Sequence, residues 1–173
     1  WVAPLSMQAR EYDLNPIWKK HLADTTISAE MFKDELDWLK DQPPVSEKDY
    51  LAINRRGRGF GLNEDIRKRV FAAVVAYQKR LKAKGALDWG DVPRVAWRYL
   101  QDHPEYFPKY DFILVDEAQF FAPLWFEIIK QLLRSGNSHL FVVADPTQGF
   151  LGRGASWRSL GLEARGRSQH LKR

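Results

Sequence analysis

Two short stretches of this 173-residue chain end apolar segments in polar groups. In YDFILVDEAQFFAP, residues 110–123, the run from Phe112 to Val115 gives way abruptly to Asp116, Glu117 and Gln119. In the second, Leu140 to Val143 is followed by Asp145 and Gln148. Short apolar runs bounded by polar turns read as strands buried on both faces. Between them, Ala122 to Arg134 reads as a helix with Leu124, Ile128, Ile129 and Leu132 inward. This alternation predicts a parallel α/β sheet, and such sheets collect ligands at the carboxyl ends of their strands. Asp116, Glu117, Asp145 and Gln148 are therefore expected to face one crevice.

Such a crevice suits phosphoryl transfer. An Asp at a strand tip holds Mg²⁺, usually through water, because the ion is hard and prefers oxygen ligands. The next acid, Glu117, is placed to polarise an attacking water, and the Gln148 amide to sense or orient a γ-phosphate. A plainer reading has Asp116 and Glu117 capping the helix that begins near Ala122. Histidines at 21, 103, 139 and 170 show no metal-ligand spacing, and the absence of cysteine excludes thiolate sites and disulfides.

The elements that precede this pair of strands are helical. Ser28 is placed to cap a helix through Lys40, with Met31, Leu36 and Leu39 among its apolar positions, before Pro43-Pro44 stops it. Asn63 is placed to cap another, in which Ile66, Val70, Val74, Tyr77 and Leu81 recur at helical spacing until Gly85. Arg67, Lys68, Lys79 and Lys82 fall largely on its other side. A further helix is expected over Asp91 to Asp102, and Ser156 to Leu160 reads as one helical turn packing Trp157 on the sheet.

Charge is unevenly spread. Residues 54–84 hold 10 Lys/Arg against 2 Asp/Glu, and residues 151–173 hold 6 against 1, on either side of an acidic stretch. Basic blocks of this density attract phosphate backbones, so nucleic acid is the expected partner; a solvated helix face is the plainer alternative. The apolar runs fall far short of the roughly 20 residues that cross a bilayer, so no membrane partner is expected and a cytoplasmic location is.

The segments ILVDEAQ at 113–119, VVADPTQGFLGRGASW at 142–157 and GRSQHL at 166–171 resemble, in order and spacing, the Walker B box, the Asp-x-x-Gln box and the approach to the next motif of UvrD/Rep-like superfamily 1 DNA helicases. GRGFGL at 57–62 and ALDWGDV at 86–92 resemble the family's helical insertion and the stretch leading back into its first motor domain. The likeness covers about residues 54–173, and residues 1–53 are compatible with it. It implies an α/β fold: a partial RecA-like P-loop NTPase parallel sheet (104–173) preceded by an all-helical insertion domain (1–103). It also implies an ATP-dependent DNA helicase that uses ATP and Mg²⁺. Asp116 would bind the metal, Glu117 and Gln148 would be catalytic, and Asp145 would shape the ATP loop. Gln119 would couple the site to the DNA track, and Phe150 and Arg153 would meet single-stranded DNA or a junction; Arg55, Arg56 and Arg58 are expected nucleic-acid contacts because they lie in the basic block.

No G-x-x-x-x-G-K-[ST] phosphate loop occurs in the chain. The sequence opens at Trp1 and closes on Lys172-Arg173, and is expected to be an internal piece of a longer polypeptide, inactive by itself and with sticky sheet edges. Two other readings stay open. One is a non-catalytic nucleic-acid-binding module, the other a metal-dependent nuclease using Asp111, Asp116, Glu117 and Asp145.

Overall fold

A computed structural model describes residues 3–55, 58–145, 147, 156–160, 162–163 and 165–169. The chain divides into two compact units. One comprises residues 1–54 and 60–108, the other residues 55–59 and 109–173.

The first unit is helical. Helices α1 (Met7–Leu22), α2 (Ala29–Lys40), α3 (Glu47–Ala52), α4 (Glu64–Ala83) and α5 (Asp91–Asp102) follow one another along the chain. Ser6, Ser28, Ser46 and Asn63 each lend a side-chain oxygen to a backbone N–H of the first turn, which satisfies a donor the helix itself leaves open. Leu36 and Leu39 of α2 meet Val70, Val74, Tyr77 and Leu81 of α4 in the core, as their spacing predicts. Ile66 and Met31 lie half-buried at its edge.

Helix α1 was not singled out by its sequence. Pro16 sits inside it, at a position that removes one ladder hydrogen bond. Packing against α4 compensates: Leu14 and Leu22 enter the core, and buried Asp13 accepts from Arg80 Nε at 2.6 Å and Lys84 Nζ at 2.5 Å.

Buried ion pairs link the helices of this unit. Lys40, wholly buried, reaches Asp88 at 2.7 Å and Asp91 at 2.8 Å. Asp88 also accepts from Tyr77 Oη at 3.0 Å and Arg10 Nε at 3.2 Å, and Arg10 pairs with Asp37. Gly90 follows from this arrangement. A Cβ there would lie 2.8 Å from the Lys40 Cδ, and that side chain is held between two carboxylates.

The second unit carries β1 (Phe112–Val115), α6 (Pro123–Leu132) and β2 (His139–Val142). The strands are parallel, with Phe112 opposite His139 and Val115 opposite Val142. The expected helix and second strand therefore lie within a residue or two of their predicted ends. Trp157–Leu160 forms a 3₁₀ turn whose Leu160 is buried with Val115, Ala118 and Phe126, and the Trp157 ring meets Phe126 edge-on at 6.3 Å. In the stretch 166–171, Ser168 and Gln169 are not in strand conformation, and residues 170 and 171 lie outside the described residues.

One expectation fails. The strands are not buried on both faces: Ile113, Leu140 and Val142 pack inward, whereas Phe112, Leu114 and Phe141 expose 67%, 75% and 61% of their surfaces. A run apolar at every position cannot report which of its faces is covered, because alternate residues point opposite ways.

Candidate functional site

The tips of β1 and β2 are tied by backbone and side-chain bonds. Val143 N donates to Val115 O at 2.8 Å, and Ala118 N donates to Val143 O at 2.9 Å, so the chain leaving β1 turns over the end of β2. Glu117 makes that turn. Its φ of 51° and ψ of 36° lie in the left-handed region, and no other described non-glycine residue has a positive φ. Such a conformation costs about 1–2 kcal/mol and persists where its surroundings hold it. Here the Glu117 N–H donates to Asp116 Oδ1 at 2.9 Å, and a 3₁₀ turn over Ala118–Phe120 follows directly.

Gln119 is fully buried in this turn, so both ends of its amide need partners. Its Nε2 donates to the Glu117 carboxylate, and its Oε1 accepts from Asp145 N at 3.0 Å. These partners also fix the amide's orientation, since a carboxylate only accepts and a backbone N–H only donates. Asp145 in turn takes Thr147 N at 2.8 Å and Thr147 Oγ1 at 2.7 Å on Oδ1, which sets the course of the loop after β2.

Asp116, Glu117, Gln119 and Asp145 thus come together at one end of the sheet. Gln148, Phe150 and Arg153 lie outside the described residues, as does Arg56. Asp116 and Glu117 are exposed, and among the described residues Asp116 Oδ2 and Glu117 Oε1 have no hydrogen-bond partner. Open anionic oxygens are the donors a hard cation such as Mg²⁺ prefers, so the tip fits that ion. The helix-capping reading does not hold: α6 begins after Ala122, which makes no side-chain cap, and the acids lie a turn upstream. Nor does the four-carboxylate cluster assemble. Asp111 sits at the far end of β1, paired with Arg134 at 2.6 Å. No group of three or more His, Asp or Glu suited to a metal occurs among the described residues.

The basic block is largely occupied within the molecule. The Arg67 guanidinium lies 4.8 Å from the Tyr50 ring centroid and donates to Tyr50 O and Ile53 O. Lys68 pairs with Glu64, Arg69 with Asp24, and Arg80 and Lys84 with Asp13. Arg55 and Arg58 are half-buried. Lys79 and Lys82 are exposed as expected, and two cations the sequence did not single out, Arg94 and Arg98, line the same groove of the helical unit. Their one sequence signal was a four-residue spacing on a predicted helix.

Residues 7–160 match the UvrD/REP helicase N-terminal domain, and the chain belongs to that family. The match reaches well upstream of residue 54, into α1. A particular relative is the "Probable DNA helicase II homolog" of Mycoplasma capricolum, to which the chain is 36% identical over 91 residues, 50% of this chain and 12% of that protein. The chain thus aligns with about an eighth of the relative's length. No helix among the described residues is long and apolar enough to cross a membrane.

Proposed function

We propose that this chain is part of an ATP-dependent DNA helicase or translocase, which couples Mg-ATP hydrolysis to movement on single-stranded DNA. In this reading residues 1–103 form the helical insertion, and residues 104–173 form the second part of a RecA-like motor domain. The observation that carries it is the Gln119 bridge, which joins the Glu117 carboxylate to the Asp145 backbone and so ties both strand tips.

Asp116 would hold Mg²⁺, which when bound neutralises phosphate charge and orients the nucleotide. Glu117 is the general base: its carboxylate is fixed by Gln119 on one oxygen and open on the other. Gln148 would contact the γ-phosphate. Any shift in the loop carrying Asp145 and Gln148 is felt at Glu117 through the Gln119 amide, which is how the nucleotide site would communicate with DNA. Arg55, Arg56, Arg58, Phe150 and Arg153 are the proposed DNA contacts. The 173 residues alone, lacking a glycine-rich phosphate loop, are expected to hydrolyse no ATP.

In the full-length polypeptide, Glu117→Gln is expected to lower steady-state ATP hydrolysis by about 10²–10⁴-fold while nucleotide binding persists. Phosphate release and a fluorescent-nucleotide titration measure the two, and near-normal turnover would remove Glu117 as the base. For the 173-residue chain, anisotropy of a labelled oligothymidylate should show weak binding that falls as salt rises from about 50 to 200 mM. Affinity indifferent to salt would remove the basic segment as a nucleic-acid contact.

A further inference from the structure

Within the helical unit, a groove of about 440 Å³ runs beside α2, α4 and α5. Its walls are aliphatic: Leu39, Val45, Val74, Val75, Leu87 and Val95. Four cations line it, Lys79 and Lys82 from α4 and Arg94 and Arg98 from α5. The lining carboxylate Asp91 shares the Lys40 ammonium with Asp88, at 2.8 Å, and accepts from Gln78 Nε2 at 3.0 Å. Among the described residues, none of the four cations forms an ion pair. Arg94 is half-buried, with Nη1 3.4 Å from Leu39 O. Burial holds its guanidinium below the ordinary arginine value, with Asp91 and Asp88 pulling the other way and Arg98 adding to the shift.

We propose that this groove docks an acidic amphipathic helix of a protein partner, with its apolar side chains against the aliphatic walls and its carboxylates on Lys79, Lys82, Arg94 and Arg98. Charge complementarity selects an anionic partner, and the walls select between anionic classes. Single-stranded nucleic acid takes a basic groove that also offers aromatic platforms on which its bases stack. Phe71, the aromatic residue in the lining, is already stacked on Tyr50 at 5.7 Å. Aliphatic walls with a charged rim are instead the surface into which the apolar face of a helix settles. This proposal stands apart from the motor reading, since it uses neither the strand tips nor the segment 54–58.

The test uses the 173-residue chain and three fluorescein-labelled probes. These are a short helical peptide with leucines at helical spacing and glutamates elsewhere, the same peptide with serine for leucine, and an oligothymidylate. The leucine peptide is expected to bind, and the serine peptide to bind at least about tenfold more weakly. Val75→Glu and Arg98→Glu, both at exposed positions, should each weaken the leucine peptide by about fivefold or more without changing the circular-dichroism melt. Three results overturn the proposal: no leucine-peptide binding up to about millimolar concentration, equal binding of the two peptides, or oligothymidylate affinity that falls in these variants while peptide affinity does not. The last would make the groove a nucleic-acid surface.

Discussion

In the helical unit Leu22, Leu36, Val70, Ala73 and Tyr77 are wholly buried, and even the ions inside it are paired. In the strand-bearing unit the inner face of the sheet is packed by α6 and the Trp157 turn, while the outer face presents Phe112, Leu114 and Phe141 to solvent. The first unit closes its own core. The second closes half of one, and a two-stranded sheet is marginal unless something packs on it. The difference teaches where each unit's specificity resides. In the helical unit, buried charge pairs join α1, α2, α4 and α5, whereas the strand-bearing unit concentrates its polar bonds at one tip, around Gln119, where the proposed chemistry lies.

The sharpest way to break this contrast is at Lys40. Replacing it with methionine keeps most of the side chain's volume but leaves Asp88 and Asp91 buried without their shared cation. Removing one partner of a buried pair costs about 3–5 kcal/mol. Lys40→Met should therefore unfold the helical unit at much lower urea, seen as lost helical circular dichroism. A change below about 1 kcal/mol, the scale of an exposed ion pair, would mean that the buried ions do not hold the unit together.

Acid offers a gentler version of the same test. Burial alone would push the Asp88 carboxyl up, but the Lys40 ammonium and the Arg10 guanidinium outweigh it and hold the carboxyl below the ordinary aspartate value. A group depressed in the folded state adds stability that is present above its unfolded value, about 3.9, and is lost as pH falls through the folded one. Urea midpoints should thus drop below about pH 4, and Lys40→Met should flatten that drop. An unchanged pH slope in the variant would assign the acid sensitivity elsewhere.

Much of the helical unit was legible because its signals are local. Ser28 and Asn63 cap the helices they were expected to cap, and the apolar period of α4 points at the core. What escaped sequence reading depends on distant partners. Asp13 and Arg80 lie 67 positions apart, so composition counts Arg80 as a free cation although it is spent inside the molecule. Helix α1 escaped because Pro16 argues locally against it and only packing argues for it. At the site, the residue types and strand ends were legible, and so was the expectation that Asp116, Glu117 and Asp145 meet. The left-handed turn at Glu117 and the two-ended Gln119 bridge were not, since a non-glycine positive φ follows from tertiary bonds rather than from propensity.

The smallest expected effect on stability sharpens the comparison from the other side. Leu114 lies on the exposed sheet face at 75% accessibility, so Leu114→Ser removes little buried surface and should shift the urea midpoint by no more than about 0.5 kcal/mol. Its effect on association should be larger. With Phe112 and Phe141 it forms an apolar patch beside strand edges that no other strand pairs among the described residues, the kind of surface that pairs with other copies. Light scattering across a concentration series should show the unmodified chain self-associating and the Leu114→Ser chain doing so less. If both chains stay monomeric over that series, the outer face is satisfied as it stands, and the strand-bearing unit is as self-sufficient as the helical one.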